Sequence, residues 1–332
     1  MKKVLFLMCA LFALVGCNKQ EVYETTVTKT LVIYLNYQDI TRSVPTTDPK
    51  PTENNINSVT IGVFKSDGTV KTIKEFTAPS KSITMKVANL TTTDKVVCVT
   101  NSVSGTFADC KNIDDFNAKE VSLDKALTTN TVDIVANNLI MYGNSGITAS
   151  GDGYVSNVDI YHLNSKISLN TLSTNISNNG TFKPKEIFLI NVPSSFKYSY
   201  DNPYSTNGIF YHGALNSSIP DQSQKLYLGY GNINSTVNKL FFYTSPNNSI
   251  KYTKIVVFGT YDADGNGPLQ GKDTYYPIVV DKTLLPNKNY VLNVNIKGVG
   301  VDSPTDDLNY SNLTVVLNIN NFDDIVKDIS LE

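Results

Sequence analysis

The sequence contains no tryptophan, a single arginine and two histidines, and each scarcity removes a class of function. His162 and His212 stand far apart in unlike contexts, which leaves most acid–base and zinc chemistry without ligands. No Ser/His/Asp grouping, phosphate-binding glycine loop or Gly-x-Ser-x-Gly elbow is present. The chain is therefore not read as an enzyme, and no cofactor is expected. Its 28 basic side chains are balanced by 30 acidic ones, so no basic surface faces nucleic acid phosphates and nucleic acid is excluded as a partner. What is abundant instead is uncharged: 38 Asn, 19 Tyr and 14 Phe among 332 residues, enough chain for two domains of ordinary size.

The first 17 residues read as a leader. Lys2 and Lys3 form a positive start, Val4 to Ala13 an apolar run, and Leu14-Val15-Gly16-Cys17 follows with small residues where a peptidase needs access. The pattern resembles a bacterial lipobox. In such precursors the cysteine, here Cys17, takes a diacylglyceryl and palmitate-type anchor and becomes the new N-terminus. No other apolar stretch approaches the ~20 residues that a membrane-spanning helix needs. Export makes Cys98 and Cys110 a candidate disulfide. The alternative is that Cys98, inside Val96-Val97-Cys98-Val99, is a small buried hydrophobe.

Beyond the leader the dominant hydrophobic period is two. Runs rich in Val, Ile, Thr, Tyr and Phe recur from Thr28 to Tyr37, Ser58 to Lys65, Thr69 to Phe76, Ser82 to Ala88 and onward to Asn312 to Phe322, separated by Gly, Asn, Asp, Pro and Ser. Ser66-Asp67-Gly68 reads as a hairpin tip, and Asn112 to Leu127 is the one weak helical stretch. The fold class is all-β, with two β-sandwiches in tandem. The glycine-rich stretch Gly143 to Gly153 suggests the boundary. The expected organisation is a leader over 1–17, a propeptide with the first strand over 18–42, an N-terminal sandwich over 43–152 and a C-terminal sandwich over 153–332.

Several segments, taken in order, resemble the fimbrillins of Bacteroidales, the major subunits of type V pili. They are the lipobox with a strand beyond it, Val96-Val97-Cys98-Val99-Thr100-Asn101, Met141-Tyr142-Gly143, the segment Val158 to Ile167, and the late block Tyr290 to Gly300. The chain departs from the pattern where the family often has Arg, here His162, and Trp, here Phe322. The resemblance implies transthyretin-like sandwiches in a lipoprotein precursor carried to the outer membrane. It also implies trimming by an arginine-specific protease and polymerisation by strand exchange into an extracellular fimbrium.

The sequence has parts for that route. Arg42 sits after the first strand in Thr41-Arg42-Ser43-Val44-Pro45, entering a polar, proline-rich linker that a protease can reach, so a cut would leave Ser43 as the new N-terminus. The strand thereby released carries Leu31, Ile33, Leu35 and Tyr37 on one face. At the other end, Leu313, Val315, Leu317 and Ile319 reproduce that spacing within a donor segment, 312–332, whose apolar positions resume at Ile325, Ile329 and Leu331. Such a tail can pair with another copy of the chain or a related subunit by β-augmentation; the alternative is a last strand closing its own sheet.

One loop invites a metal reading. Asp262, Asp264, Asn266 and Asp273 fall at the oxygen positions of a calcium-binding loop, with Gly267 at its sixth position, but the flanks read as strands, which favours a plain hairpin turn. Tyr198, Tyr200, Tyr204, Asn202 and Asn207 are candidate surface groups for a host glycan or protein. The expected function is thus an adhesive fimbrial subunit. The alternatives are an accessory tip or anchor subunit, and a glycan-binding surface lipoprotein that does not polymerise.

Overall fold

The computed structural model describes residues 26–37, 53–127, 138–233, 239–265 and 271–322. Strands such as Thr28–Asn36 and Ser82–Ala88 alternate buried and exposed residues, and the larger sheets form two successive pairs, with a three-stranded and a two-stranded sheet beside them. In the first pair, one sheet has the order Ser82–Ala88, Thr28–Asn36, Gly153–Asp159, Thr148–Ser150. The facing sheet runs Tyr161–His162, Met141–Gly146, Lys95–Thr100, Ser58–Phe64, Val70–Thr77. Alternate side chains from both sheets, among them Leu31, Ile33, Val59, Ile61, Met85 and Val158, close a core between them.

The second pair sets Leu240–Thr244, Ser165–Thr174, Lys288–Ile296 and Leu313–Asn321 against Gly229–Gly231, Thr181–Ile190, Lys254–Asp262 and Lys272–Val279. Its core, with Ile167, Leu169, Ile187, Val257, Leu292 and Val294, is continuous with the outer face of the preceding sheet through Val97, Val99 and Phe116. The Asp67-Gly68 tip forms as expected: Gly68 takes φ +84°, and the Asp67 carboxylate accepts the Thr69 N–H at 2.8 Å. The weak helical stretch resolves into Ile113–Ala118 and Leu123–Ala126. Asn112 caps the former by accepting the Asp115 N–H.

The boundary at residue 153 is corrected. Gly153–Asp159 runs parallel to the first strand and Tyr161–His162 pairs with Met141–Gly146, so the first pair of sheets extends to His162. Of the glycines read as marking the boundary, Gly143 and Gly146 lie within the strand Met141–Gly146, and Gly151 turns a tight hairpin at φ +55° between Ser150 and Gly153. Glycine marks a reversal inside a sheet as readily as a break between sheets. Gly153 also permits close approach, since a Cβ there would lie 2.8 Å from the Thr30 carbonyl oxygen.

Candidate assembly site

The first strand, Thr28–Asn36, is an interior strand. It pairs antiparallel with Ser82–Ala88, Leu31 opposite Met85 and Tyr34 opposite Ser82, and parallel with Gly153–Asp159, Leu31 opposite Tyr154 and Leu35 opposite Val158. Leu31, Ile33 and Leu35 are 0%, 0% and 2% exposed, as the alternation requires. Tyr37 is half-buried at the edge of the same core, with the Lys81 ammonium 4.8 Å from its ring centre. Polar groups fix the register at the strand's end. Asn36 Nδ2 donates to Asp159 Oδ1 at 3.0 Å, the Ile160 N–H to the Asn36 carbonyl at 3.0 Å, and the Leu35 N–H to the Lys81 carbonyl at 2.9 Å. Sequence reading missed Asp159 and Lys81, because a strand-flanking Asp and Lys carry no signal of their own until the pairing is known. Without the first strand this sheet has a gap lined by two unpaired backbone edges and an apolar floor.

The C-terminal strand, Leu313–Asn321, occupies an edge. It pairs antiparallel with Lys288–Ile296, from Leu313 opposite Ile296 to Asn321 opposite Lys288, and among the described residues has no strand on its other side. In this chain it therefore closes its own sheet. Burial of its apolar face decays along its length: Leu313 is 5% exposed, Val315 and Leu317 are half-buried, and Ile319 is 48% exposed. Aligned on their apolar positions, Leu313, Val315, Leu317, Asn318 and Ile319 match Leu31, Ile33, Leu35, Asn36 and Tyr37.

Among the described residues the other expected sites are not assembled. Cys98 and Cys110 are both free and buried, Cys98 facing the core of the first pair of sheets and Cys110 packing into the other cluster. Successive residues of a strand point to opposite faces, so Cys98 turns away from Val97 and Val99, which share Cys110's core. Burial pushes both thiols above the ordinary range. Asp262 Oδ1 accepts the N–H groups of Asp264 and Gly265, a turn-forming contact. Asp273 is spent on Lys185 at 2.5 Å and Thr260 at 2.9 Å, and the Lys185 hydrogen bond holds its carboxyl below the usual range. Among the described residues no three His, Cys, Asp or Glu gather at one point. Tyr198, expected on a loop surface, is fully buried with its ring 5.1 Å from that of Phe107. Asn207 is committed to Ser194, Ser195 and the Ile209 N–H. Cys17, Arg42, Ser43, Asn266, Ile325, Ile329 and Leu331 lie outside the described residues.

The family model described as "Major fimbrial subunit protein (FimA)" matches residues 30–182. No curated protein sequence matches the chain. Among solved structures, a fimbrilin (FimA) from Porphyromonas gingivalis W83 is 17% identical with a TM-score of 0.67, covering 88% of this chain and 97% of its own. A protein of Bacteroides eggerthii described as a candidate cell adhesion protein is 20% identical with a TM-score of 0.66, covering 89% and 96%. The tip fimbrial protein Mfa3 of P. gingivalis is 14% identical with a TM-score of 0.53, covering 89% and 100%. Over the matched residues, which include most of the first strand and both of its neighbours, this chain is similar to the FimA family of fimbrial subunits.

Proposed function

We propose that this protein is a polymerising fimbrial structural subunit, exported as a lipoprotein through Cys17 and cut after Arg42. The cut releases the first strand, and the C-terminal strand of a second copy fills the gap. The observation that supports this reading is the contrast between the two places the C-terminal strand can occupy. At home it has one hydrogen-bonded neighbour and a half-exposed apolar face. In the gap it gains two neighbours and the sites of Leu31, Ile33 and Leu35, all of them buried. Both backbone pairing and apolar burial favour the transfer once the gap is open. Asn318 then falls opposite Asp159, where Asn36 stands in the uncut chain. Because gap and donor belong to different sheets, the contact is head-to-tail and grows an open filament rather than a closed ring.

The lone arginine gives the processing step its test. Material sheared from the cell surface should begin at Ser43 on N-terminal sequencing, and Arg42→Ala should leave an uncut, unassembled precursor. Fibres built of chains that still carry lipidated Cys17 would overturn the cut, as would normal assembly of Arg42→Ala.

A further inference from the structure

The described stretch that follows Arg42 in the sequence begins with a buried charge. Glu53 is 1% exposed, and its Oε1 accepts hydrogen bonds from Lys166 Nζ at 2.7 Å and from the Tyr243 hydroxyl. Its other carboxylate oxygen, Oε2, is buried with no hydrogen-bond partner among the described residues. Lys166 belongs to Ser165–Thr174 and Tyr243 to Leu240–Thr244, so Glu53 reaches across into the sheet that ends in the C-terminal strand. Burial, followed by the nearby Glu53 charge and hydrogen bond, drives the Tyr243 hydroxyl far above its ordinary range, keeping it a neutral donor.

The third partner is the residue that ends the C-terminal strand. Phe322 is 2% exposed and packs beneath this pair. Its ring stacks on His162 at 4.2 Å and on Tyr243 at 5.9 Å, with Lys166 Nζ 5.7 Å from its centre. His162 is held from the same stretch, its Nε2 lying 2.8 Å from Asn54 Oδ1. Further along, Asn101 Oδ1 accepts the Asn57 N–H while its Nδ2 donates to the Asn55 and Leu139 carbonyls, pinning the stretch to the first pair of sheets. The two departures from the family pattern, His162 and Phe322, are thus one contact.

We propose that Glu53 and its neighbours form an autoinhibitory latch: the stretch behind the processing linker clamps Phe322 and so holds the C-terminal strand on its own sheet. The regulatory meaning of the latch rests on the donor role proposed above. Glu53 fixes Lys166 and Tyr243, and Asn54 fixes His162, so that three side chains close on one ring. Apart from its backbone pairing with Lys288–Ile296, the strand is an edge with a half-buried apolar face. Edge strands open locally, at a cost set by their own anchors rather than by the whole fold. Phe322 is the deepest anchor at the strand's distal end, where Ile319 is already exposed.

Amide hydrogen exchange on the full, uncut chain tests this without requiring assembly. Glu53→Gln keeps the shape of the side chain but removes the charge that matches Lys166, and it should speed exchange across Leu313–Asn321 by about tenfold while leaving Thr28–Asn36 unchanged. Phe322→Leu, which leaves the ion pair intact, should do the same by itself and decides the matter if Glu53→Gln fails to fold. The double variant should exchange no faster than the faster single variant, since both release one latch. Unchanged exchange at Leu313–Asn321 would overturn the latch, as would a rise spread equally over Ser165–Thr174, or full additivity in the double variant. A working latch in a chain that never forms fibres would refute the donor role alone; fibres from a chain whose strand exchange ignores both substitutions would refute the latch alone.

Discussion

Leu317→Asp should abolish fibre formation while the uncut chain remains folded. At home Leu317 is half-buried on an edge strand, so a carboxylate there can turn to water, and the loss of stability should be about 1–2 kcal/mol. In the gap the same position takes the place of Leu35, which is 2% exposed. An unpaired charge there meets a desolvation penalty of several kcal/mol. Since each ~1.4 kcal/mol is tenfold in an equilibrium constant, subunit association should fall by about a hundredfold or more. Chemical denaturation of the uncut variant and sedimentation of the cut one measure the two effects separately. Unfolding of the uncut chain, with normal assembly of whatever survives, would make Leu317 an ordinary core residue.

Stripping the first strand from the cut chain should lower its melting temperature sharply, and a peptide spanning Asn312 to Phe322 should restore it. Leu31, Ile33 and Leu35 together account for roughly 5–9 kcal/mol of apolar burial, comparable to the ~5–15 kcal/mol that holds a whole domain together. The stripped chain should therefore retain little resistance to denaturant in its first pair of sheets. Saturating peptide should raise the melting temperature by about 10 °C, through binding to the folded state alone. The same peptide with Ser at the positions of Leu313, Val315 and Leu317 should have no effect. Equal rescue by both peptides would mean that backbone pairing, not the apolar face, selects the donor.

Much of the fold is legible in the sequence because one face of most strands is buried, which prints a period of two onto the chain. The first strand is the clearest case, with Leu31, Ile33 and Leu35 inward as the alternation demands. Local conformational signals were legible too, as at Asp67-Gly68 and Asn112. What the pattern does not carry is pairing. Gly143 to Gly153 has the composition of a domain boundary, yet it supplies a strand to one sheet of the first pair and a hairpin to the other, a fact set by long-range partners. Cys98 and Cys110 look like a pair until the pleat turns one of them to the other face. The latch was illegible for the same reason. Lys166 and Glu53 lie far apart in the sequence, and only tertiary contact makes their charges buried and matched.

The most direct test of strand exchange is a crosslink between copies. One copy carries Val316→Cys and the other Ser82→Cys. Val316 corresponds to Tyr34, which faces Ser82 across the antiparallel pair, and both Tyr34 and Ser82 are exposed on the outer face of the sheet. Cys98 and Cys110 are buried and contribute no competing surface thiol. The two copies should form an intermolecular disulfide after cleavage at Arg42 and none before it. Fibres that assemble without this crosslink, or a crosslink that forms equally well in uncut chains, would contradict the exchange of the first strand for the C-terminal strand of a neighbour.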